Sequence, residues 1–238
     1  MVKNMRGIYM RTILFVMLLV AFSTLAVATP TLYGPNGIVT YPTAGSDESV
    51  ISVTPYVMTY GGDEWIGMVT ANVDLKFIEA YGSVSVYNGK DFSVNDFSTY
   101  GAKVKVKAGE KFKVAAGATM FTGDRVDIYT AVTTDVLDLK LTDFDLTGGI
   151  NYQTTTDEFA KGDTRIFVGA TTRVSNVVKI GAEASVPLNG PNGVIYSLGA
   201  SADVMLFNVT AGLTNNMYGY KSDDMGYFVN MGYSFNLL

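Results

Sequence analysis

From Thr99 to Lys107 the chain alternates without a slip. Thr99, Gly101, Lys103, Lys105 and Lys107 are polar or tiny, and Tyr100, Ala102, Val104 and Val106 between them are apolar. A period of two puts neighbouring side chains on opposite faces of a strand, one apolar and one polar. The pattern returns about a dozen times before the C-terminus, with turn residues between the runs.

The N-terminus says where such strands are sent. Lys3, Arg6 and Arg11 form a basic start, Ile13 to Phe22 is unbroken apolar sequence, and Ala26-Val27-Ala28 offers a small-x-small cleavage site. Residues 1–28 therefore read as a cleaved signal peptide, because the apolar stretch is shorter than the ~20 residues a membrane helix needs. Residues 29–48 form a lead-in rich in Pro, Gly and Thr, with a turn at Gly34-Pro35-Asn36-Gly37 and a break at Pro42-Thr43-Ala44. Residues 49–238 carry the alternation. Strands are expected at 49–60, 64–75, 78–88, 97–107, 111–121, 125–135, 143–154, 164–174, 177–187, 193–204, 207–215 and 225–237. Each is near the ~9–11 residues of a tilted membrane strand.

The connections alternate as well. Gly61–Asp63, Asp91–Asn95, Thr122–Asp124, Thr155–Asp163, Leu188–Asn192 and Asn216–Asp224 form one set of links. The other set is mostly tighter: Lys76-Phe77, Ala108–Glu110, Ser175-Asn176 and Met205-Leu206, with Val136–Thr142 as a long exception. Long loops at one end and tight turns at the other are the habit of outer-membrane barrels. Aromatics near strand ends, among them Trp65, Tyr100, Phe112, Phe144, Tyr152, Phe207, Tyr227 and Phe235, suit the girdle where lipid tails meet headgroups. The opposite face mixes Lys105, Lys113, Arg125, Asp127, Asp145, Arg165, Arg173, Lys179, Glu183 and Asp203 with Gly117, Gly149, Gly169, Gly181 and Gly199. Small residues between charges suit a concave lumen better than a soluble surface of long charged side chains. The expected fold is an all-β, closed antiparallel up-and-down transmembrane β-barrel of about 12 strands, in a bacterial outer membrane.

Two resemblances add to this. Asn230, Gly232, Phe235 and Leu237 resemble the C-terminal signal by which the barrel-assembly machinery recognises its clients; Leu238 beyond them is a departure. The run Thr31-Leu32-Tyr33-Gly34-Pro35-Asn36-Gly37-Ile38-Val39-Thr40-Tyr41-Pro42-Thr43-Ala44 resembles the lead-in of the YjbH-like exported barrels. The strand–turn–strand from Tyr100 to Ala118 is similar to their repeating hairpins. This resemblance implies a link to exopolysaccharide production and no particular activity.

The chain has no Cys and no His, which removes disulfides, thiolate metal sites and the usual general base. No cofactor is expected. Acid pairs such as Asp135/Asp138 and Asp143/Asp145 read as solvated rim charges, and the acidic loop residues Asp157, Glu158, Asp163, Asp223 and Asp224 match no calcium-loop spacing. Loss of Lys3, Arg6 and Arg11 leaves the mature chain more acidic than the formal −5 of the whole, so nucleic acid is not an expected partner. The expected partners are outer-membrane lipid, the assembly machinery, and polysaccharide or small anionic solutes.

The candidate solute-facing residues are Lys103, Lys105, Lys107, Lys111, Lys113, Arg125, Arg165 and Arg173. If Ala108–Glu110 is the turn, Lys107 faces Lys111 and Lys105 faces Lys113. Like charges directly opposite destabilise a strand pair. Glu79 and Asp135 on the flanking strands, water, or an anionic solute would then compensate. The expected function is a non-enzymatic, narrow pore for small hydrophilic solutes. The rival is a filled structural barrel or an accessory of exopolysaccharide export, its lumen closed by its own side chains or by residues 29–48.

Overall fold

The computed structural model describes residues 31, 37–44, 49–60, 65–88, 98–109, 111–139, 142–155, 162–175, 177–189, 193–204, 207–217 and 220–236. The predicted signal peptide, Asp157, Glu158 and Leu237 lie outside them. The chain folds into β1 (Val50–Tyr60), β2 (Trp65–Asp74), β3 (Ile78–Asn88), β4 (Thr99–Lys107), β5 (Phe112–Phe121) and β6 (Arg125–Leu139). It continues through β7 (Thr142–Thr155), β8 (Asp163–Arg173), β9 (Val178–Pro187), β10 (Ile195–Val204), β11 (Phe207–Met217) and β12 (Tyr220–Asn236). Every strand pairs antiparallel with its sequence neighbour, and β12 returns to β1, so the sheet closes and has no edge.

Alternation assigns the two faces. Val168, Val186, Leu198, Tyr227 and Val229 point outward and are exposed, together with Trp65, Tyr100, Phe112, Phe207 and Phe235 of the expected girdle. The inward positions between them are buried and mostly polar, including Thr70, Asn72, Ser85, Thr119, Ser185, Ser197 and Thr210. This is a soluble protein turned inside out.

Inside, glycines and rings are matched across the ladder. Gly101 pairs with Tyr81, Gly117 with Tyr129, Gly149 with Phe167 and Gly212 with Phe228, and each ring lies over the glycine opposite it. A Cβ on Gly117 would sit 2.6 Å from both the Tyr129 hydroxyl and the Ala102 carbonyl oxygen. These glycines make room for rings that cover the bare backbone and fill the taper of the barrel.

The closing seam has its own fit. The β1–β12 ladder skips Thr54 and Pro55, as a proline without an N–H requires. Opposite that gap sits Gly232, where a Cβ would approach the Thr54 hydroxyl to 2.8 Å.

Three expectations about connections need correction. The link read as a long exception at Val136–Thr142 is strand: β6 runs to Leu139 and β7 starts at Thr142, with a register shift between Asp135 and Leu137 absorbing the extra residue. The Asn216–Asp224 link is likewise mostly hairpin, because β11 reaches Met217 and β12 begins at Tyr220. The lysine hairpin is two residues out of the expected register. Lys107 pairs with Lys113 and Lys105 with Ala115, while Lys111 lies in the turn and the Ala108 N–H donates to the Phe112 carbonyl oxygen.

Candidate functional site

The lumen is where a barrel with a polar interior does its work, and here part of the chain occupies it. Residues 37–44 run inside the wall and are almost wholly buried. They fold on themselves first: Gly37 bridges Pro42, and the Ile38 N–H donates to the Tyr41 carbonyl oxygen at 3.1 Å. Gly37 has no space for a side chain between Thr31 and Tyr41, so the turn needs glycine there. The segment then touches strands around the circumference, which places it across the lumen and not along one side.

The strongest anchor is Glu183 on β9. Its carboxylate accepts hydrogen bonds from the N–H groups of Val39 (3.1 Å), Thr40 (2.7 Å) and Tyr41 (3.1 Å), and from the Thr40 hydroxyl. A turn that aims successive N–H groups at one anion is a nest, and a buried carboxylate needs such donors to hold its charge. Further bonds come from Asn216 on β11 to the Thr40 hydroxyl (2.8 Å), Lys103 on β4 to the Thr43 carbonyl oxygen (3.0 Å), and the Ala44 N–H to Thr133 on β6 (3.0 Å). Tyr56 on β1 donates to the Thr31 carbonyl oxygen at 2.8 Å.

Apolar contacts complete the fit. Tyr41 stacks on Phe167 with ring centroids 4.8 Å apart. Ile38 lies against Gly169 and Gly181, and Val39 against Gly199, so β8, β9 and β10 offer a floor of bare backbone for the plug. Ile38 and Val39 also join Tyr56, Met58, Ile66, Met68, Phe121 and Phe228 in one buried cluster. Beside the plug, a cavity of about 30 Å³ lined by Tyr41, Thr119, Asp127, Tyr129, Asn151 and Gln153 has room for one or two waters.

Seven of the eight basic candidates fall into three groups, and the eighth, Lys113, is half-buried at the turn end. Lys103 and Lys105 are buried and paired within the wall: Lys103 lies 2.6 Å from Glu79, with neither side chain exposed, and Lys105 is paired with Asp74. Arg125 and Arg165 are buried at the loop end of their strands. Arg125 pairs with Asp127 at 3.2 Å and lies over the Phe121 ring. Arg165 donates to the Ser185 hydroxyl and carbonyl and to the Gly193 carbonyl, and lies 3.4 Å from Asp163. Lys107, Lys111 and Arg173 are exposed at the turn end; Arg173 lies 3.4 Å from Asp143.

Lys76, Lys105, Lys107 and Lys113 line a cavity of about 290 Å³ at that end, with Phe77 on one wall and Ala44 of the plug on another. The expected partner Glu79 is present; Asp135 instead faces Asp145 across the β6–β7 ladder. Sequence reasoning missed Asp74, which sits at the end of β2 across a turn from Glu79. It named Glu183 only as one charge among several. The signal for its special role was local: after Lys179 it is the lone ionisable group in β9, whose other residues there are Ile, Gly, Ala, Ser, Val and Pro.

No family model matches the chain, and no curated protein matches it. Its fold does match solved structures. The KdgM porin superposes with a TM-score of 0.61 at 12% identity, covering 78% of this chain and 99% of that one. The NanC porin gives 0.55 at 9% identity, covering 79% and 100%. An outer membrane channel from Pseudomonas putida F1 gives 0.52 at 10% identity, covering 84% and 99%. At these identities the shared property is the closed twelve-stranded barrel.

Proposed function

We propose that this chain is a bacterial outer-membrane protein, exported by a cleaved signal peptide over residues 1–28, that forms a narrow, non-enzymatic pore for small hydrophilic, anionic solutes. The observation that carries the reading is the wall itself. An apolar exterior around a polar, closed interior suits only a barrel whose outside meets lipid and whose inside meets water. Asn230, Gly232, Phe235 and Leu237 would serve the barrel-assembly machinery as its recognition strand.

The anionic preference rests on the turn-end mouth, where Lys107 faces Lys113 and four lysines line one cavity. It is supported by the KdgM porin, which is also known in complex with disordered oligogalacturonate, a saccharide bearing a carboxylate on each ring. Absence of His and placement of the Asp pairs at the mouth favour a channel over an enzyme.

A second reading, a filled barrel serving exopolysaccharide export as the YjbH-like lead-in implies, is favoured by the segment inside the lumen. Conductance of the refolded mature protein in a planar bilayer, with the reversal potential in a salt gradient, separates the two. Discrete steps with anion preference are expected, and Lys107→Glu with Lys113→Glu should move the preference toward cations. Lys105 is left intact because Asp74 depends on it. Permanent silence from a folded, inserted barrel would favour the filled reading.

A further inference from the structure

We propose that residues 37–44 are a releasable plug latched by Glu183, and that its withdrawal opens the lumen; this rests on the pore reading above. The wall is complete without the plug. None of its residues belongs to the closed order of strands, and among the described residues its only bridge is internal, between Gly37 and Pro42. It can therefore leave as a preformed turn without breaking a ladder bond.

The partners it would leave behind are asymmetric in a telling way. Lys103 keeps Glu79, Thr133 keeps Thr147 at 2.9 Å, and Ser197 keeps Thr214 at 2.8 Å. Those wall groups are satisfied with the plug in or out. Glu183 is different: among the described residues each of its hydrogen bonds goes to the plug. One carboxylate thus concentrates the polar hold on the segment, and in an emptied lumen water would take over its lone pairs.

The floor supports the same conclusion. Gly169, Gly181 and Gly199 receive Ile38 and Val39. Glycines have no rotamers to swing into vacated space, so withdrawal leaves a path where a lining of larger side chains would collapse. A permanent filling would more simply be built from wall side chains, as Tyr81, Tyr129 and Phe228 already are over the glycines opposite them.

Single-channel recording tests this with three variants, each shown to be folded by its shifted gel migration before boiling. The first is the mature chain lacking residues 31–44, which should conduct without closures. The second is Glu183→Gln, which should raise the open fraction roughly fivefold, since hydrogen bonds to a charged group are about twice as strong as neutral ones. The third is Thr40→Cys with Ser197→Cys, whose parent hydroxyls are 3.5 Å apart in a chain without other cysteines. Oxidised, it should be silent; reduced, it should conduct.

Equal conductance of the oxidised and reduced pair, with the plug-free chain conducting, overturns the plug and leaves the pore. A Glu183→Gln open fraction equal to that of the unaltered protein overturns the latch. Silence of the folded plug-free chain overturns both the plug and the pore.

Discussion

Gly117 illustrates how residues in this lumen are chosen in pairs. Tyr129 lies across from it and uses the missing Cβ. Gly117→Ala would force the Tyr129 ring or the β4 backbone aside, at about 1–3 kcal/mol for an overpacked interior. Its urea midpoint in detergent should fall, while Gly109→Ala, with nothing within 4 Å of the new methyl, should leave the midpoint unchanged. Lys103 makes the same point for charge. Lys103→Met strands Glu79 in a site where neither side chain is exposed, and should cost about 3–5 kcal/mol. Adding Glu79→Leu should recover most of that loss, which equilibrium unfolding of the two variants would show. The sequence places each of these residues on the right face, because period two does that unaided. It cannot name the partner across the ladder, because partners depend on register.

At the scale of elements, strand positions were legible and turn lengths were not. A strand carries its pattern over about ten residues, so each run is recognised many times over. A hairpin register hangs on a few turn residues, and the shift from Lys107 facing Lys111 to Lys107 facing Lys113 changes no face at all. Nothing in the alternation could have reported it. The β6–β7 hairpin escaped for a related reason: its register shift between Asp135 and Leu137 breaks the period where the strand continues. The outward face makes a prediction of its own. Val168 lies in the middle of β8 and Val186 near the loop end of β9, both pointing out. Lysine at the midplane of a bilayer should cost about 2–4 kcal/mol and near the interface about 0–1. Val168→Lys should therefore destabilise the barrel in lipid far more than Val186→Lys. Equal, small effects would mean that the outer face does not meet lipid.

The whole molecule is a closed wall plus a short segment held inside it, and the two are stabilised differently. The wall closes on ladders that run from each strand to the next; the segment is held by side chains from strands far along the chain, as with Glu183 and Val39 at a separation of 144 residues. That separation is why the sequence offered residues 29–48 as one way to close the lumen but could not name their anchor. Residues 37–44 have no period, and their chief partner lies on the ninth strand. Local stability should differ accordingly. The N–H groups of Val39, Thr40 and Tyr41 are protected only while Glu183 holds them, whereas ladder N–H groups in β8, β9 and β10 open only when the wall does. Hydrogen exchange followed by mass spectrometry should show residues 39–41 exchanging ahead of those strands. Glu183→Gln should speed residues 39–41 several-fold and leave β8 to β10 as they were. If the substitution loosens the strands equally, plug and wall unfold as one unit, and the segment is part of the scaffold of the barrel. If it loosens the plug alone, the molecule has two separable parts, as a gated lumen requires.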